Sequence, residues 1–180
     1  MGKRFIKITS VLLALCAGTA FLAAQDSEPT EPQVIAVGNL EYEVTGLEQV
    51  AVRGLAPDVT VADLVIPSTI MDGMQPYTVV AIKDNAFTRN TSITKLTVES
   101  GIETIGKSAF DGCVSLEDLT LPETLIELGD AAFNGCNFDA LNLPSSLSSI
   151  PHNAFANNEA LLVVSGGSGI TEIGERAFYN

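Results

Sequence analysis

Five Ala-Phe dipeptides punctuate residues 86–178 of the chain: Ala86-Phe87, Ala109-Phe110, Ala132-Phe133, Ala154-Phe155 and Ala177-Phe178. Their phenylalanines fall 23, 23, 22 and 23 residues apart. A fixed spacing of this size marks units too small to bury their own apolar face, each of which must stack on copies of itself. The spacing predicts a repeat solenoid, mainly β, with about five turns. Stacked repeats mostly build extended binding surfaces, so the same feature bounds the class of function without naming a partner.

The apolar positions align in columns. Ile82, Ile105, Leu128, Ile150 and Ile173 form one. Beyond the Ala-Phe pair come Ile93, Leu116, Phe138 and Leu161, then Leu96, Leu119, Leu141 and Val164. Val98, Leu121 and Leu143 form the next, which breaks at Gly166. Leu-x-x-Leu-x-Leu followed by Pro122 or Pro144 reads as a short strand with alternate residues inward, ended by a residue that has no N–H to donate. The Ala-Phe unit is expected in a short helical or 3₁₀ turn on the opposite side, with Ala permitting close approach and Phe filling the core. Gly106, Gly129 and Gly174 share their column with Pro151, whose φ is held near −65°. Close packing, not positive φ, is therefore the expected reason for those glycines. Arg89, Gly112, Gly135, Asn157 and Asn180, two residues past each Phe, are mostly types that tolerate a left-handed turn ending. Gly166-Gly167-Ser168-Gly169 reads as a local kink on the strand side.

Ahead of the repeats, residues 38–80 read as a cap with a first partial repeat, and residues 81–180 as the repeats, the last one incomplete. Leu40–Val44 alternates as a half-buried strand, and a turn at residues 45–49 leads into Val50-Ala51-Val52, giving a β-hairpin cap. Such a cap is needed because an uncovered first repeat leaves backbone edges and apolar surface open. Leu64-Val-Ile-Pro67-Ser-Thr-Ile70 matches Leu121-Pro122-Glu-Thr-Leu125. The insertion that follows contains a turn at Asp72-Gly73 and a strand at Tyr77–Val80.

The first 24 residues read as a secretory signal peptide: a basic start (Lys3, Arg4, Lys7), an apolar stretch from Ile8, and small residues before polar Gln25. The competing reading is a membrane anchor, but an apolar run of about 17 residues is at the short end for a span. Cys16 faintly suggests a lipidation site, although Leu15 precedes it where a small residue is expected. Residues 25–37 read as an acidic, Pro-containing spacer. Loss of Lys3, Arg4 and Lys7 takes the net charge from −13 to −16. A surface this acidic repels nucleic acid and anionic lipid heads and favours solubility. The chain stops at Phe178-Tyr179-Asn180, inside a repeat, which reads as a fragment of a longer protein or as an end that pairs with another molecule.

The columns resemble the leucine-rich repeats of the BspA-like type. The matching residues run Ile105-Gly-x-x-Ala109-Phe110-x-Gly-Cys113-x-x-Leu116-x-x-Leu119-x-Leu121-Pro122, and again from Leu128 to Pro144. The resemblance covers roughly residues 38–180. It implies a bacterial surface or secreted protein, in some members one that adheres to host matrix proteins or to other cells. It also implies that the column Asn90, Cys113, Cys136, Asn158 lies inside the turn and hydrogen-bonds backbone.

No catalytic residue, metal site or cofactor is assigned. Cys113 and Cys136, 23 residues apart, stack on neighbouring turns, within reach of a disulfide if neighbouring strands lie about 4.8 Å apart. A buried thiol pair is the expectation; a bridge is the alternative, and two thiols alone do not make a zinc site. His152, the one histidine, lies in a turn with no orienting carboxylate or nucleophile around it. The scattered Asp and Glu form no calcium loop and do not converge as glycosidase carboxylates would. Phe87, Phe110, Phe133, Phe155 and Phe178 are structural. The positive candidate is the strand face, where Lys95, Thr97, Asp118, Thr120, Asn142 and Ser165 point outward. Thr97, Thr120, Asn142 and Ser165 are expected as one polar column across four turns, able to hydrogen-bond an extended peptide or a glycan. The expected partner is a protein or glycan on a host or neighbouring cell surface, with modest affinity raised by multivalency. The runner-up is a structural spacer that displays another domain.

Overall fold

The computed structural model describes residues 31–180. The signal segment, Cys16 and residues 25–30 of the spacer lie outside the described residues. The fold starts with three antiparallel strands: β1 (Val34–Val37), β2 (Leu40–Val44) and β3 (Gln49–Leu55). The expected hairpin is the β2–β3 pair. Val34–Val37, read from sequence as spacer, instead forms a strand, because β2 offers it an edge (Ile35 opposite Tyr42) and the core buries Ile35.

β4 (Asp63–Ile66) opens the repeats, and β5 (Thr69–Asp72) and β6 (Gln75–Ile82) form a hairpin around Gly73 and Met74. The turn and strand expected in the insertion are this hairpin. From there the chain alternates between two ladders. β8 (Thr104–Ile105) and β10 (Glu127–Leu128) extend in parallel from β6, which itself lies parallel to β3. The cap thus covers the first rung of this ladder. The second ladder is β4, β7 (Lys95–Val98) and β9 (Asp118–Thr120), also parallel. β11 (Ala140–Leu143) pairs with β13 (Val163–Gly166), and β12 (Ser149–Ile150) with β14 (Glu172–Ile173).

The Ala-Phe segments correct the sequence expectation. They are turns, and no helix occurs among the described residues. Each segment bonds the next repeat as a strand would: Phe87 N donates to Ala109 O at 2.7 Å, Phe110 N to Ala132 O at 2.8 Å and Phe133 N to Ala154 O at 2.9 Å. Alternate backbone donors are thus spent between repeats, while those between them, such as Ala86 N to Lys83 O and Thr88 N to Asn85 O, close i→i+3 turns within the repeat. Two left-handed residues bend each of the first four turns, and one bends the fifth. One set is the anticipated column, Arg89 (φ 58°), Gly112, Gly135 and Asn157. The other, which the sequence does not announce, is Asn85, Ser108, Ala131, Asn153 and Arg176. Gly106, Gly129 and Gly174 lack positive φ, and a Cβ on any of them would run into the backbone of the preceding repeat. Close packing does explain them.

The core is the set of inward columns. Ile82, Ile105, Leu128 and Ile150 are buried, as are Ile93, Leu116 and Phe138. The phenylalanines stack nearly parallel, with centroids 4.9 Å apart for Phe87–Phe110 and 5.1 Å for Phe110–Phe133. Val164 and Ile173, the last members of their columns, are exposed, because β13 and β14 each have a neighbour on one side only.

Both ladders stop between the third and fourth repeats: β9 does not pair with β11, nor β10 with β12. Two local causes coincide there. Cys136 to Phe138 is one residue shorter than Cys113 to Leu116, which takes up the 22-residue spacing. In addition, Gly106, Gly129 and Gly174 donate their N–H to Ile82, Ile105 and Ile150, whereas Pro151 in the same column has none to give to Leu128. The turn ladder alone runs unbroken through this level, by way of Ala131 N to His152 O and Gly135 N to Ala156 O.

Candidate binding face

The strand ladder presents side chains in register. Lys95 stands opposite Asp63 on one side and Asp118 on the other, and Thr97 lies between Val65 and Thr120. Leu96 and Val98 point inward and are buried, so alternation turns Lys95 and Thr97 outward. Lys95, Asp118 and Thr120 are exposed, and Thr97 is half-buried. In the second half of the face, Asn142 stands opposite Ser165 and both are exposed. Ser165 Oγ donates to Asn142 Oδ1 at 3.1 Å.

The expected single polar column is therefore two columns. Thr97 and Thr120 belong to one sheet, Asn142 and Ser165 to another, and the missing rung lies between Thr120 and Asn142. The one-residue shortening before Phe138 is the reason. An extended ligand running across the rungs meets Thr97–Thr120 and Asn142–Ser165 as separate pairs. Charge on this face alternates as Asp63, Lys95, Asp118, so its first half presents an ammonium flanked by two carboxylates.

The interior columns hold no chemistry of their own. Cys113 and Cys136 are buried free thiols. Cys113 Sγ donates to Phe87 O at 3.2 Å and Cys136 Sγ to Phe110 O at 3.4 Å. Burial pushes the Cys113 thiol up to about 11 and raises that of Cys136 as well, so neither offers a thiolate at neutral pH. The flanking members of the column do the same work with an amide. Asn90 Oδ1 accepts from Ser92 N and Ile93 N, and fully buried Asn158 accepts from Cys136 N while donating to Phe133 O. The backbone-bonding role implied by the resemblance is what these contacts show.

His152 is exposed in its turn. The described residues hold no group of three or more His, Cys, Asp or Glu placed to bind a metal ion. Gly166 and Gly167 both lie in the left-handed region at the end of β13, and Gly167 N donates to Leu143 O at 2.7 Å. The expected kink is there.

The comparisons agree with this architecture. The family model described as BspA type leucine rich repeat region matches residues 80–180 in six copies. A leucine-rich repeat protein from Bacteroides capillosus is 26% identical, covering 73% of this chain and 96% of its own, with a TM-score of 0.63. A leucine rich cell surface protein from Faecalibacterium prausnitzii is 19% identical over 82% of this chain and 46% of its own, with a TM-score of 0.62. The pneumococcal vaccine antigen PcpA is 18% identical over 82% of this chain and 47% of its own, with a TM-score of 0.65. This chain thus spans about half the length of the Faecalibacterium and pneumococcal proteins, and at such identities the likeness to them shows the fold alone. No curated protein matches the chain. With its family model spanning more than half of the residues, the chain belongs to the BspA-type leucine-rich repeat family.

Proposed function

We propose that the protein is a secreted or cell-surface binding module, non-catalytic, whose repeats form a right-handed solenoid of about 23-residue period and adhere to a protein or glycan on a host or neighbouring cell. The observation that carries this reading is the in-register outward face: Lys95 opposite Asp118, Thr97 opposite Thr120, and Asn142 opposite Ser165. Paired short polar groups on rungs about 4.8 Å apart offer a ligand that runs across them a regular series of hydrogen-bond partners. The basic start and apolar stretch of residues 1–24 support export, and among the described residues no helix is long and apolar enough to cross a membrane. The acidic surface argues against nucleic acid as partner.

A second reading, a structural spacer that displays another domain, is favoured by one feature of the same face. None of its six candidate residues is aromatic or Arg, the types that dominate binding energy at interfaces. Immobilised matrix glycoproteins and glycans separate the two readings. Saturable binding by the chain, lost when Thr97, Thr120 and Asn142 are changed to Glu in a variant that still folds, supports the binding module. Absence of binding across the panel by folded wild type overturns it in favour of the spacer.

A further inference from the structure

Among the described residues, β4 pairs with β7 on one edge and with no strand on the other. Its bonding side follows from its neighbours: Lys95 N donates to Ala62 O at 3.0 Å and Glu99 N to Ile66 O at 3.0 Å. In a parallel ladder alternate residues turn their amide and carbonyl to the same side. Ala62, Leu64 and Ile66 are thus committed to β7, and Asp63 and Val65 present N–H and C=O on the open edge. Val65 is 49% exposed, its side chain on the same outward face as Thr97. Along this edge runs a groove of about 500 Å³, bounded by β4, β5 and the β1–β2 turn. Its lining includes the buried side chains of Leu40, Tyr42, Leu64 and Ile70, with Asp63 and Val65 at the exposed side. The cap that closes the β6 ladder leaves this one open.

We propose that the groove binds an extended segment of a partner protein by strand addition to β4, the segment alternating apolar residues with at least one Lys or Arg. Unpaired main-chain groups spaced as in a strand select another main chain. Alternate side chains of an added strand fall on opposite faces. One set meets the apolar lining that solvent reaches, Val37, Val61 and Met71, and the other flanks Asp63, the one charged side chain among the described residues that line the groove. Lys95, opposite Asp63 on the β7 side, stands between Asp63 and Asp118, so on a chain of net charge −13 the open side of Asp63 still favours a cation. The site lies at the capped end and uses backbone, so it adds to the side-chain face proposed above, which it meets at Asp63 opposite Lys95.

The probe is a fluorescent peptide of alternating valine and lysine, compared with a valine–glutamate peptide and with the lysine peptide N-methylated at alternate residues. The chain is tested as wild type, as Asp63→Lys and as Val65→Pro, the last removing one outward N–H and no bond to β7. We expect saturable binding of the lysine peptide, with the Asp63 and Val65 amide resonances shifted on titration. Affinity should fall at least tenfold on N-methylation and at least tenfold in Val65→Pro, and Asp63→Lys should abolish the preference for lysine over glutamate. Equal affinity for the N-methylated peptide would reduce the effect to charge alone and overturn the proposal. Lack of saturation, or unchanged affinity in a folded Val65→Pro, overturns it as well. Should Val65→Pro fail to fold, the N-methylated arm decides. Self-association of wild type lost in Val65→Pro would assign the groove to a second copy. Tenfold tighter peptide binding on deletion of residues 25–30 would assign it to the chain's own acidic segment. Either result overturns the partner assignment.

Discussion

Phe138 stands edge-on to Phe133, 6.4 Å between ring centroids and 80° between planes. It meets Phe155 in the same way, at 6.4 Å and 81°. Phe133 and Phe155 themselves stack at 5.7 Å, the widest step in the column. The larger ring thus fills the level at which the repeat is a residue short, where Leu116 and Ile93 suffice elsewhere. Phe138→Ala should destabilise the fold by about 3–5 kcal/mol, the range for removing a buried aromatic side chain. Phe138→Leu should cost less. Urea denaturation of the two variants checks both the size and the order.

Pro151 removes one rung at the same level, so Pro151→Gly should restore it. The net stability change is expected to be small, within about 1 kcal/mol. A net hydrogen bond contributes about 0.5–1.5 kcal/mol, and the added freedom of glycine in the unfolded chain offsets much of it. The diagnostic readout is hydrogen exchange. The amide introduced at position 151 should be protected, and a fast-exchanging one would mean that the shortened repeat, not the proline, opens the ladder.

Ala131 holds φ at 55° where its N–H bonds His152 O, and Gly135 holds 65° four residues on where its N–H bonds Ala156 O. A left-handed conformation costs an L-residue roughly 1–2 kcal/mol, and glycine's own entropy cost is roughly 0.5–1 kcal/mol. Ala131→Gly should therefore stabilise the protein by about 0.5 kcal/mol or more, and Gly135→Ala should destabilise it by about 1 kcal/mol. Paired denaturation midpoints that move in opposite directions are the check.

The contrast between those two positions shows what the sequence could reveal. Column 89–112–135–157 contains two glycines and an asparagine, so its backbone need is written in residue types. Column 85–108–131–153–176 contains Asn, Ser, Ala, Asn and Arg, and only its two asparagines hint at the bend. The inward columns were legible because burial admits few residue types. The Ala-Phe turns were not, since bonding between repeats leaves no local periodicity to tell them from a helical turn. Val34–Val37 failed for a related reason: it alternates weakly, and an edge supplied by β2 makes it a strand. On the candidate face, alternation revealed which residues point outward, but the break between Thr120 and Asn142 depends on how a missing residue is absorbed in three dimensions.

Cys113 and Cys136, with sulfur atoms on the carbonyls of Phe87 and Phe110, should be inert to a water-soluble disulfide reagent at pH 8 in the folded protein and reactive on unfolding. Mass mapping of the labelled thiols distinguishes them from Cys16. Burial favours the neutral thiol, so the folded Cys113 value of about 11 lies above its ordinary 9.0. The contribution is fully present below pH 9 and is lost as pH rises towards 11. Stability should accordingly fall over that window, and Cys113→Ser should flatten part of the fall. Labelling of the native protein at pH 8 would contradict the buried geometry.

Glu123 and Ser145 link the third and fourth repeats outside the core, just beyond the prolines that end the strands. One carboxylate oxygen, Oε2, accepts from Ser145 Oγ at 2.7 Å and from Ser145 N at 2.8 Å. Both bonds favour the charged form, the hydroxyl more than the amide, and they hold the Glu123 carboxyl below its ordinary 4.5. A depressed carboxyl stabilises the fold above its unfolded value and loses that contribution as pH falls through the folded one. An NMR titration should place the Glu123 midpoint below 4.5, and Ser145→Ala should raise it while leaving the contribution of the amide bond. A midpoint that does not respond to Ser145→Ala would mean that the amide bond alone sets the shift. Because β9 and β11 do not pair, this contact and the Ser146 Oγ bond to Leu125 O link the two repeats on the strand side. Its loss at low pH should therefore raise hydrogen exchange of the Ser145 amide before that of Phe133, whose bond to Ala154 lies on the unbroken ladder.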